Sequence, residues 1–118
     1  MHETFIHESL ESEVQAEILE WLRAQPDLVV IKVIVATTNG VADILVCYKG
    51  RFIAIEVKRD VNREPDPLQV EFLNSIIEAG GQAIVTSLLS DVRLVLEYDI
   101  LGKTMFEQSL TDFSEAVE

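Results

Sequence analysis

Ala42-Asp43-Ile44-Leu45-Val46-Cys47-Tyr48-Lys49-Gly50-Arg51-Phe52-Ile53-Ala54-Ile55-Glu56-Val57-Lys58 reads as two β-strands, 42–48 and 51–58, around a Lys-Gly pair suited to a two-residue hairpin turn. Successive side chains on a strand point to opposite faces. Ile53, Ile55 and Val57 therefore make one apolar face, and Ala54, Glu56 and Lys58 the other. If Lys49 and Gly50 are the whole turn, Tyr48 pairs with Arg51. Counting back pair by pair then sets Asp43 opposite Glu56, with both side chains on the same face. A longer turn would shift the register and part them.

Working outward, residues 28–36 are rich in Val and Ile and read as a preceding strand, with Thr37-Thr38-Asn39-Gly40 as a loop. Residues 9–24 read as an amphipathic helix with Leu10, Val14, Ile18, Trp21 and Leu22 on one stripe, Ser9 as its cap and Pro26 beyond its end. On the other side of the hairpin, Asp66-Pro67 opens a second helix that runs to Ala79 and stops at Gly80-Gly81. Residues 82–86 form a fourth strand, and Ser90-Asp91 opens a shorter helix to about Tyr98. The order αβββαβα is that of an α/β protein with a mixed sheet flanked by helices. We expect one domain over 1–118, with its core at about 9–98 and an acidic tail at about 107–118.

Two carboxylates side by side repel each other, and like charges opposite one another weaken a sheet. The Asp43–Glu56 pair makes sense if a divalent cation lies between them, because hard cations take carboxylate oxygens. Lys58, on the same face, would contact a phosphate or orient a water. The plainer reading is a surface Glu/Lys pair with Asp43 as a strand-start residue. On the first helix, Glu11 falls about 50° from the middle of the apolar stripe, within reach of the sheet, and Glu17 on the opposite border is the alternative. On the second helix, Gln69 falls inside the stripe of Leu68, Phe72, Leu73, Ile76 and Ile77. A buried amide needs partners, so Gln69 either ties the helix to backbone groups or reaches the carboxylate–lysine cluster. His2 and His7 lack metal-ligand spacing and read as solvated.

The net charge of −12 argues against a nucleic-acid partner. Five of the nine basic residues, Lys49, Arg51, Lys58, Arg59 and Arg63, nevertheless fall within 15 positions and could form a local basic strip. The single Cys47 excludes an internal disulfide and suits a reducing compartment; in an apolar strand it reads as a small buried hydrophobe. No apolar run reaches bilayer-spanning length, and Met1-His2-Glu3-Thr4-Phe5 lacks the features of a signal peptide. The chain is therefore expected to be cytoplasmic.

Gly40-x-x-Asp43 followed by Glu56-Val57-Lys58 resembles the PD-(D/E)xK nuclease signature. More narrowly, Glu11-x-x-Val14-Gln15, Asn39-Gly40 before Asp43, Gln69 after the Glu-x-Lys strand and Gly80-Gly81 before the fourth strand resemble the virus-type replication-repair nuclease (VRR-NUC) domain of the stand-alone phage or bacterial type. The likeness runs from about Glu11 to Asp91, with Ala42 where that family usually has proline. It implies a restriction-endonuclease-like αβββαβ core and a catalytic set of Asp43, Glu56, Lys58, Gln69 and Glu11. It also implies Mg²⁺ or Mn²⁺ bound by Asp43, Glu56, the backbone carbonyl of Val57 and, less directly, Glu11. The implied activity is a Holliday-junction-resolvase-like DNA endonuclease, a homodimer acting on four-way junctions in DNA repair, in a bacterial or phage-infected cell. The alternatives are an inactive DNA-binding or assembly subunit of the same fold, and a less specific nickase or nuclease.

Overall fold

The computed structural model describes residues 2–60 and 62–97, with side chains from Leu10 onward. Helix α1 (His2–Arg23) is followed by strands β1 (Leu28–Lys32), β2 (Ile44–Tyr48) and β3 (Arg51–Val57), helix α2 (Pro67–Glu78), strand β4 (Gln82–Thr86) and helix α3 (Leu89–Glu97). The four strands form one sheet in the order β1-β2-β3-β4, antiparallel except for the parallel β3–β4 pair. The expected αβββαβα order and mixed α/β sheet are what the chain adopts.

The hairpin has the expected two-residue turn. Tyr48 pairs with Arg51, and Lys49 and Gly50 have φ of 50° and 82°. Positive φ at both central residues is the turn whose twist matches that of the flanking strands. Strand β3 is central, so its residues from Ile53 to Val57 are all buried. Ile53, Ile55 and Val57 join Ile44, Val46 and Ile84 in a core closed by Ile18 and Leu22 of α1 and by Val92 and Val95 of α3. The space between these side chains leaves no room for a water molecule. On the other face Ala54 and Ala83 pack under Leu73 of α2. Alanines there let the helix come close to the sheet.

Several expectations are corrected. Helix α1 starts at His2 rather than near Ser9, since residues 2–8 contain no glycine or proline to stop it. Strand β1 ends at Lys32 rather than at 36, because its partner β2 begins at Ile44, opposite Lys32. One more backbone bond, Val33 N–H to Asp43 O at 2.8 Å, follows before the chain turns away with Ile34 and Val35 exposed. Cys47 is exposed, not buried: α2 packs on β3 and β4, leaving Val29, Ile31, Cys47 and Phe52 uncovered on that face. Leu68, placed on the apolar face of α2, is half exposed.

The basic strip divides as well. Lys49 and Arg51 lie at the turn end of β3, Lys58, Arg59 and Arg63 beyond its other end, about 20 Å away along a seven-residue strand. Arg51 donates to Gln82 Oε1 at 2.8 Å and to the carbonyls of Val95 and Leu96 at 3.1 and 3.2 Å. It caps α3. The acidic tail at 107–118, the expected helix end at Tyr98 and the side chains of His2 and His7 lie outside the described residues. No helix among the described residues is long and apolar enough to cross a membrane.

Candidate active site

The site lies at the end of β3, on the face that α2 covers. The last paired row of the hairpin is Ile44 with Ile55, so Asp43 stands one step beyond it, opposite Glu56. Its carboxylate Oδ2 accepts the Val57 N–H at 2.8 Å, taking the place of a backbone acceptor. Lys58 follows β3 and is anchored by its own N–H to Thr86 O at 2.9 Å. Its ammonium lies 3.1 Å from Glu56 Oε2 and donates to Gln69 Oε1 at 3.2 Å.

Gln69 does both of the things its position allowed. It is the third residue of α2 and completes a capping box: Asp66 Oδ1 accepts the Gln69 N–H, and Gln69 Oε1 accepts the Asp66 N–H, each at 3.0 Å. Its amide nitrogen donates to Glu56 Oε2. The helix start and the carboxylate–lysine cluster are thus one hydrogen-bonded unit. Gly40 (φ +80°) holds the preceding loop against this helix start; a Cβ there would lie 2.5 Å from Leu68 O.

Glu56 is 1% exposed, and its Oε1 has no hydrogen-bond partner among the described residues. Burial, and then the neighbouring Asp43 carboxylate, push its pKa up to about 7, although Lys58 pulls the other way. Glu11 on α1 is drawn to the same site. Its pKa is raised mainly by burial, with Lys58, Asp43 and Arg63 all close enough to act on it electrostatically. Arg63 is therefore a neighbour that strand and helix patterns could not reveal, because it sits in the β3–α2 loop. Among the described residues no three carboxylate, imidazole or thiolate side chains come together, so Glu11 does not join Asp43 and Glu56 as a third acidic donor. Glu17, the alternative to Glu11, is exposed.

An unpartnered buried carboxylate oxygen next to a second carboxylate suits a hard divalent cation. The residues present fit such an ion, with two acidic oxygens and the backbone carbonyl of Val57, which lies between Glu56 and Lys58 in the chain.

No protein-family model matches this chain, and no curated protein matches it. A solved structure described as a VRR_NUC domain does, with a TM-score of 0.65 and 28% identity, over 75% of this chain and 96% of that one. The four-stranded mixed sheet, with its acidic pair and lysine at the end of the central hairpin, defines an α/β domain of nuclease fold. Within that class the chain has the fold of a VRR-NUC domain.

Proposed function

We propose that this chain is a Mg²⁺- or Mn²⁺-dependent endonuclease that hydrolyses DNA phosphodiesters. The observation that carries the reading is Glu56 Oε1, buried without a partner beside Asp43. Asp43, Glu56 and the Val57 carbonyl would hold the cation, whose chemistry is to acidify water and offset charge on the phosphate. Lys58 presents a point charge at the mouth of the site, its side chain 18% exposed. There it orients the attacking water or steadies the charge that develops on the phosphate. Gln69 holds Lys58 and Glu56 in relative position through one amide. Glu11 completes the site from the outside, countering the charge of Lys58 and Arg63.

The likeness to VRR-NUC domains supports the finer reading of branched DNA as substrate, a homodimer as the acting form, and a role in DNA repair in the cytoplasm. Two sites at fixed spacing would match the symmetry of a four-way junction. The test is a Mg²⁺-dependent assay on junction, flap, nicked and linear DNAs. Glu56→Gln, nearly isosteric, should keep its fold and lose cleavage by 100-fold or more, on the order of other losses at a catalytic centre. Cleavage unchanged in that variant would overturn the site. Sedimentation of the same samples distinguishes a dimer from a monomeric nickase.

A further inference from the structure

Most basic side chains among the described residues have a counterpart. Arg51 caps α3, Lys58 and Arg59 pair with Glu56 and Asp60, Lys49 and Arg93 lie over Tyr48 and Trp21, and Arg63 is close enough to Glu11 to act on it electrostatically. Arg23 and Lys32 meet neither a carboxylate nor a ring among the described residues, and both line one cleft of about 290 Å³ with Ser12, Gln15, Ala16 and Leu19. Two uncompensated cations sharing a cleft stand out in a chain of net charge −12.

The cleft lies between α1 and the free edge of the sheet. At about 100° per residue, Ser12, Gln15, Ala16, Leu19 and Arg23 share one flank of α1. Glu13, Glu17 and Glu20 are turned about 80° or more from its midline. Lys32 ends β1 opposite Ile44, next to Asp43. Ser12 follows Glu11, whose carboxylate senses Asp43 and Lys58. Cleft and candidate active site therefore open at the same end of the sheet. Each cation also has a structural rationale, since Arg23 suits the last turn of a helix and Lys32 blunts an edge strand. Neither rationale requires the two to line one cleft.

We infer that this cleft is an anion subsite that binds a backbone phosphate of the nucleic acid flanking the bond being cut, an inference that rests on the nuclease reading above. Lys32 lies beside Asp43, and Arg23 lies twelve residues from Glu11, about 18 Å along the helix, so at about 3.4 Å of rise per nucleotide the cleft follows the strand for up to roughly five nucleotides from the cut. Ser12 and Gln15 add neutral hydrogen-bonding groups beside the two cations. The volume suits one phosphate with part of its sugar, being at or below the small end of ligand sites, roughly 300 Å³.

The test is the double variant Arg23→Gln/Lys32→Gln, both positions being exposed. Binding of a fluorescein-labelled four-way junction, and of the linear duplex of its arms, is followed by anisotropy over a salt series with Ca²⁺ replacing Mg²⁺. Affinity should fall on the order of ten-fold for both DNAs, and the slope of log affinity against log salt should become shallower by about 1, as for one phosphate no longer neutralised. With Mg²⁺, KM should rise while kcat at saturating DNA stays at the wild-type value. Glu56→Gln should show the reverse, losing turnover while keeping the salt slope. If wild type cleaves and the double variant keeps both affinity and slope, the subsite is wrong and the nuclease reading stands. If wild type neither binds nor cleaves any of these DNAs, both fall together.

Discussion

Glu56 is the residue least at ease in its surroundings. Its raised pKa means that the folded chain holds the proton more tightly than the unfolded chain, whose glutamate titrates near 4.5. The stabilisation that follows is fully present below about pH 4.5 and is lost as the pH rises through about 7. In chelator, wild type should therefore lose stability relative to Glu56→Gln across that window, and Mn²⁺ at the upper end should restore it. Unfolding curves that run parallel for the two proteins across the window would contradict this. The Asp43–Glu56 pairing was legible in the sequence because a two-residue turn sets the register of everything beyond it. Gln69 was legible as an anomaly, a polar residue on an apolar stripe, but not its double engagement, which depends on where β3 ends relative to α2. Cys47 was misread because an apolar strand does not disclose how far a helix extends across it.

At the scale of elements, the approach of the 33–43 loop to the start of α2 holds the acidic pair beside Gln69. Gly40 and Gly50 make a natural comparison, with φ of +80° and +82°. A Cβ at Gly50 would meet nothing within 4 Å, whereas one at Gly40 would press on the Leu68 carbonyl. Gly50→Ala should therefore cost only the left-handed backbone penalty, about 1–2 kcal/mol. Gly40→Ala should cost more than that in a denaturation experiment, and should lower cleavage further by displacing Gln69. Equal costs at the two positions would show that the loop has room to move. Elements set by local chemistry were readable: the Lys49-Gly50 turn, the Asp66-Pro67 helix start and the 82–86 strand. The end of β1 was not, because Val33, Ile34 and Val35 favour strand as strongly as their predecessors and only the absence of a partner stops them.

For the whole molecule, the layered plan followed from element order, but the distribution of charge did not. The basic residues that look continuous in sequence separate to the two ends of β3, and one of them is consumed as a helix cap. Two that lie apart in sequence, Arg23 and Lys32, line the one α1–β1 cleft. The protein as a whole is acidic, so a cation held by Asp43 and Glu56 would reverse the local sign of the site as well as supply its chemistry. The proposed activity depends on that ion. Calorimetric titration of Mn²⁺ into the wild-type protein and into Asp43→Ala near pH 8 tests it most directly. A saturable uptake in wild type that disappears in the variant, with the variant still folded, is the predicted result. No uptake in wild type, or the same uptake in Asp43→Ala, would contradict it.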